Sequence, residues 1–166
     1  TKLLKKEFSD YLGIKYCHSV ANGTDALTIS LKALGIGKGD EVITPSHTAV
    51  ATVSAILMVG ASPVFIDIDK TYYTMDENLI EKKISKKVKA IIAVHIYGNP
   101  CNIEKIIEIG KSFNVPVIED CAQAVGSMYQ NKKIGTFGMI STFSFYPTKN
   151  LGALGDAGMI CTNNKS

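Results

Sequence analysis

The chain has 166 residues, 46% hydrophobic and 20% charged, a balance that fits one core-forming globular domain and excludes a disordered chain. Eighteen basic against fifteen acidic residues give a net charge of +3, too weak and scattered a field for nucleic acid to be the main partner; arginine, the residue most used to read guanine, is absent. The four cysteines, Cys17, Cys101, Cys121 and Cys161, contain no CxxC pair, so no metal site and no disulfide framework is expected, and they read as reduced, buried thiols of a cytoplasmic protein.

In chain order, residues 3–12 read as an amphipathic surface helix, with no apolar core of a signal peptide. Residues 25–34 form a second helix stopped by Gly35. Residues 41–44 are a strand ended by Pro45. Residues 48–59 are apolar nearly all round, which predicts a buried helix, and 63–66 a buried strand with Asp67 and Asp69 at its acidic end. The whole run 48–66 is uncharged, but a membrane span needs about 20 apolar residues, and Thr48, Thr52, Ser54, Gly60, Ser62 and Pro63 interrupt it; no membrane association is expected. A helix capped by Thr74 follows over 76–84.

Residues 88–96 (KAIIAVHI at their heart) are nearly continuous β-branched apolar sequence, as in a strand covered on both faces. An amphipathic helix over 103–113 and a strand over 115–119 follow. Residues 126–144 break into short strand-like pieces with turns at Gln130-Asn131 and Gly135, and strands close the pattern at 141–145 and 159–162. Alternating strands and helices predict an α/β fold with a mostly parallel central sheet and helices on both faces. Such sheets bind ligands beyond the carboxyl ends of their strands, which directs attention to Asp67, Tyr97, Asp120 and Ser144.

Three stretches carry candidate chemistry. Asn22-Gly23-Thr24-Asp25 precedes a helix, where a glycine lets backbone N–H groups approach an anion; a Thr24 cap or a plain Asn-Gly turn is the commoner reading of these residues alone. Glu119-Asp120 ends the strand VPVIED, placing a carboxylate where it could pair with a cation or sit solvated at the strand end. Lys149 lies between FSFY and LGAL, apolar surroundings that favour a nucleophilic or Schiff-base amine, although most lysines are solvated. No GxGxxG and no Walker A pattern occurs. His47 and His95 fall near strand ends, where either could face the cleft.

These stretches, in this order and together with GIGKGDEVITPSHTAVAT, GASPVFIDID, VHIYGNPCNI, VIEDCAQAVGS and STFSFYPTKNLGALGDAGMI, resemble the DegT/DnrJ/StrS family of nucleotide-sugar aminotransferases, pyridoxal-phosphate enzymes of the aspartate aminotransferase fold. The resemblance implies that Lys149 holds pyridoxal 5'-phosphate as a Schiff base and shuttles the proton of transamination. It implies that Asp120 pairs with the ring nitrogen, that Gln123 bonds near the ring hydroxyl, and that Gly23, Thr24 and Ser144 hold the phosphate. Asn150 takes a positioning role. The aromatic residue that stacks on the ring in many members corresponds here to Ala49, so that His47 or another group covers that face, and Val125 replaces a histidine.

The same resemblance implies that residues 1–166 are part of the cofactor-binding large domain, without the small carboxyl-terminal domain, and that the full-length protein is a homodimer. The expected reaction moves an amino group from L-glutamate to a keto group of a nucleotide-activated sugar. Members that dehydrate use histidine in place of the lysine, so Lys149 favours transamination over the alternatives: a sugar dehydratase, an amino-acid aminotransferase of the same fold, or a truncated non-catalytic fragment.

Overall fold

A computed structural model describes residues 1–165. Its elements are α1 (Lys2–Leu12), β1 (Tyr16–Val20), α2 (Gly23–Ala33), β2 (Glu41–Pro45), α3 (Val50–Met58), β3 (Ser62–Ile66), β4 (Val88–Val94), α4 (Ile103–Ser112), β5 (Val117–Asp120), β6 (Met128–Tyr129), β7 (Lys132–Lys133), β8 (Ile140–Ser144) and β9 (Gly158–Thr162). Short 3-10 turns occupy Glu77–Leu79, Glu81–Lys83 and Ile96–Gly98. The central sheet has seven strands in the order β1-β9-β8-β5-β4-β2-β3. All neighbours from β8 to β3 are parallel, while β9 runs against both β8 and β1. Strand β1 therefore points the same way as the parallel set.

The middle strand shows why the apolar run was readable. In β4, Ala90, Ile92 and Val94 join one apolar layer, with Leu27 and Leu31 of α2 and Ile56 of α3. Ile91 and Ala93 join the other, with Phe8 and Leu12 of α1 and Ile103, Ile106 and Ile109 of α4. Successive side chains of a strand face opposite ways, so an unbroken apolar sequence is what two buried faces require. The sheet is mostly parallel with helices on both faces, as the alternation predicts.

Several elements differ from the sequence reading. Strand β1 was not anticipated: Tyr16–Val20 is an edge strand burying only Cys17 fully, so its sequence carries no apolar run. Helix α3 is not buried all round. Thr52, Ala55 and Ile56 pack inward, but Val50, Leu57 and Met58 are 81%, 58% and 65% exposed; lack of charge permits burial without compelling it. Strand β3 is an edge strand with half-exposed residues rather than a buried one.

Residues 76–84 form no continuous helix. Asp76, not Thr74, caps the first 3-10 turn by accepting the Asn78 N–H at 3.0 Å. Thr74 is held instead by its carbonyl, which accepts the Asp69 N–H, within a bridge pairing Ile68 with Met75. Only Ile80 is buried along this charged stretch, too little apolar surface to hold a full α-helix on the core. At the hairpin β6–β7, Gln130 and Asn131 both have positive φ, 46° and 63°, the conformation a two-residue turn demands.

Candidate active site

The carboxyl ends of β1, β2, β4, β5 and β8 converge on one edge of the sheet, and a cavity of about 310 Å³ opens there. Asn22, Gly23 and Thr24 after β1, Ala49 after β2, Asp120 at the end of β5, and Ser144 and Lys149 at and after β8 all line it.

On one wall, Asn22 caps α2, its Oδ1 accepting the Asp25 N–H at 2.7 Å. Gly23 and Thr24 are the first helical residues, whose N–H groups have no acceptor within the helix and sit at its positive end. Glycine is required by close approach: a Cβ at residue 23 would stand 2.7 Å from Ser144 Cβ and 3.2 Å from its Oγ. That absence of a side chain brings the N–H cradle and the Ser144 hydroxyl together. Gly158, at the start of β9, is forced in the same way, since its Cβ would meet the Asn22 carbonyl oxygen.

On the opposite wall Asp120 is buried. Its Oδ2 accepts the Thr52 hydroxyl at 2.9 Å, Thr52 is in turn bonded to Thr48 at 2.8 Å, and Oδ1 accepts the Ala122 N–H at 3.1 Å. Burial pushes the Asp120 carboxyl above its ordinary value, against these hydrogen bonds and the ammonium of Lys149. A buried carboxylate in that condition favours a cationic partner. Lys149 is half-buried on the loop between β8 and β9. Bonds from the Lys149 N–H to Tyr146 O, from Ala153 N–H to Phe145 O and from Phe145 N–H to Ala157 O pin that loop.

The other predicted residues are placed less centrally. Gln123 borders a small extension of the cavity beside Asp120 and Lys149, and its Oε1 accepts the N–H of Tyr97 at 2.7 Å. His47 does not line the cavity; its ring lies against Tyr97, centroids 5.6 Å apart. Asn150 is exposed and also outside the lining. Asp67 is exposed at the end of β3, away from the cavity.

Behind the site lies an arrangement that the sequence reading missed. Glu119, fully buried, faces the side of the sheet opposite Asp120. Its Oε1 accepts the N–H groups of Phe137 and Gly138 at 2.8 and 2.7 Å, and its Oε2 those of Gly135 at 2.8 Å and His95 Nε2 at 3.2 Å. His95 Nδ1 accepts the Cys101 N–H at 3.1 Å, so the ring proton that reaches Glu119 sits on Nε2. Burial alone would push the Glu119 carboxyl up, but these donors outweigh it and hold it below its ordinary value. Cys121 completes a buried cluster with both, but the carboxylate oxygens are already satisfied by protein donors. Strand alternation was the available signal: adjacent carboxylates at 119 and 120 must face opposite sides.

A buried acid, an amine and an anion cradle share one cavity, a set of groups that suits a phosphorylated, cationic ring. The chain is 49% identical over 162 residues to GDP-perosamine synthase of Escherichia coli O157:H7, covering 98% of this chain and 44% of that protein. It is 51% identical over 160 residues to dTDP-3-amino-3,6-dideoxy-alpha-D-galactopyranose transaminase of Aneurinibacillus thermoaerophilus, covering 96% and 44%. Among solved structures it superimposes on ntda from Bacillus subtilis with bound cofactor PMP, at TM-score 0.94 and 37% identity, over 99% of this chain and 37% of that one. The chain thus spans about 44% of the length of the curated relatives it matches. With the family model matching residues 1–166 from end to end, the chain belongs to the DegT/DnrJ/EryC1/StrS aminotransferase family.

Proposed function

We propose that this chain carries the cofactor-holding part of an enzyme that transfers an amino group from L-glutamate to a keto group of a nucleotide-activated sugar, using pyridoxal 5'-phosphate. The observation that supports it most directly is the sharing of one cavity by Lys149, Asp120 and the Gly23-Thr24 N–H groups. Bound there, the cofactor supplies an electron sink for the carbon that gains or loses the amino group.

The residues of this chain do the rest. Lys149 Nζ is the attachment point and, once released, the base that moves the substrate proton. Asp120 Oδ atoms, held by Thr52 and Ala122, keep a ring nitrogen protonated; that cation offsets the burial which raises the carboxyl in its absence. Gly23 and Thr24 N–H groups and the Ser144 hydroxyl hold a phosphate, with the positive end of α2 behind them. Gln123, its oxygen committed to Tyr97, would have its amide NH2 left to donate to the ring hydroxyl. Ala49 lines the cavity without aromatic bulk, leaving His47 to cover that face only by turning from Tyr97, and Asn150 to position the lysine loop from outside.

In this reading residues 1–166 are part of the large domain of a homodimeric, cytoplasmic protein. Among the described residues, no helix is long and apolar enough to cross a membrane. The test is the visible spectrum with added pyridoxal phosphate, beside Lys149→Ala, followed by a panel of keto-sugar nucleotides with L-glutamate. A band that borohydride fixes on the peptide bearing Lys149 and that vanishes in the variant is the expected result. A band retained by the variant, or none in the parent, would overturn the assignment; amination of an amino-acid keto partner alone would point to the other aminotransferase class.

A further inference from the structure

Outside the cavity, one pair of nucleophilic side chains stands close together. Cys17 of β1 and Cys161 of β9 are directly opposite in the antiparallel register, and their sulfurs are 3.0 Å apart. Opposed residues in such a pair have Cα atoms about 4.5–5.5 Å apart, inside the range of about 4.4–6.8 Å that a disulfide spans. Both thiols are free, on the face of the sheet covered by α1.

We propose that Cys17 and Cys161 are a redox-active pair that closes to a cross-strand disulfide on meeting a low-molecular-weight disulfide of the glutathione type. The two sulfurs have different roles. Cys17 is 8% exposed and Cys161 fully buried. The contact with the Cys161 sulfur holds the Cys17 thiol below its ordinary value against the opposing effect of burial. The same contact and burial push Cys161 up. Cys17, the one of the two that reaches the surface, is the attacking sulfur, and the enclosed Cys161 the resolving one.

The Cys17 thiolate attacks one sulfur of the small disulfide, whose S–S bond breaks and releases one thiolate that takes up the Cys17 proton. Cys161 then loses its proton to the second leaving thiolate as its sulfur displaces the small thiol from Cys17. Two protein thiols are oxidised to one disulfide, and one small disulfide is reduced to two thiols. Entry needs only local opening of α1, which buries just Phe8 and Leu12 among its eleven residues.

The other two cysteines are placed differently. The Cys101 sulfur donates to the Val94 carbonyl at 3.0 Å. Burial, together with Glu119 and Asp120 nearby, pushes the Cys121 thiol well up. Neither has an opposed thiol across a strand pair.

The purified protein, incubated with oxidised glutathione and then alkylated in denaturant, tests this. The expected result is two alkylated thiols where the reduced protein has four, tryptic peptides 16–32 and 150–165 linked to each other, and full reversal by dithiothreitol. Cys101→Ser and Cys121→Ser leave the link intact, Cys17→Ser abolishes it, and Cys161→Ser traps glutathione on Cys17. Four alkylated thiols after oxidation, a link through Cys101 or Cys121, or glutathione persisting on Cys17 of the parent would each overturn the proposal. Should a serine variant fail to fold by circular dichroism, the peptide map of the parent decides alone.

Discussion

Replacing Glu119 by Gln tests how the loop behind the site is held. The carboxylate receives four donors, two at each oxygen. Glutamine keeps one oxygen and turns an NH2 group toward the other two donors. His95 has no way to relieve this by shifting its proton, because its Nδ1 must accept from Cys101 N–H. Two buried donors are thereby orphaned at about 1–3 kcal/mol each, or about 2–6 kcal/mol in total, against about 5–15 kcal/mol for a whole domain. Urea unfolding followed by circular dichroism reads this as a midpoint lowered by about 1–3 M, given a slope of about 2 kcal/mol per M. The pH dependence adds a second check. Because the folded Glu119 carboxyl lies below its ordinary value, its contribution is complete above the unfolded value of about 4.3 and is lost as pH falls through the lower folded one. The Gln variant lacks that titration, so its stability falls less steeply in acid. A loss below about 1 kcal/mol, or an acid arm identical to the parent's, would refute the view that this carboxylate pins residues 135–138.

Two further variants probe the cavity. Asp120→Asn removes a charge whose folded carboxyl is raised by burial; that cost grows as pH rises above the unfolded value of about 3.9 and is complete above the folded one. The cofactor-free variant is therefore expected to be more stable than the parent at pH 7, by about 1 kcal/mol; a thermal melt below the parent's would contradict this. Gly23→Ala drives a Cβ into Ser144 Cβ at 2.7 Å and forces α2 off β8, and a displacement of about 1 Å at a positioning group costs about 100-fold. Titration with pyridoxal phosphate measures it, with Gly155→Ala, which meets nothing within 4 Å, as the neutral control; equal losses in the two would remove the close-approach explanation.

What the sequence revealed follows from where side chains face. Strand β4 was legible because both its faces are apolar; strand ends pointed to Asp120 and Ser144 on the cavity but also to Asp67 away from it, while Gly23 was marked by a helix start and Lys149 by its apolar flanks. Gln123 has no local signature and was reached only through family resemblance. Strand β1 was invisible because an edge strand with one fully buried residue has no pattern to read. The Glu119 anchor was hidden for a different reason. Its partners at 95 and at 135–138 are backbone and imidazole N–H groups remote in sequence, and backbone donors leave no trace in residue identity. The exposed flank of α3 shows the converse limit, since apolar composition predicts what tolerates burial and not what receives it.

The placement of β9 between β8 and β1 has a consequence for how the protein is made. Among the described residues strand β1 has β9 as its neighbour and no other, so residues 16–20 leave the ribosome well before residues 158–162 and wait for them before they can pair. Pairings this distant carry a heavy loop-closure entropy and form slowly. The Asn22-Gly23 cradle follows β1 directly and rests on Gly158. The half of the cavity around Asp120 can therefore assemble during synthesis, whereas the anion cradle forms only once Gly158 arrives. Closure of the cradle is a late folding event, and a nascent chain stopped short of β9 holds the acid and the lysine without it.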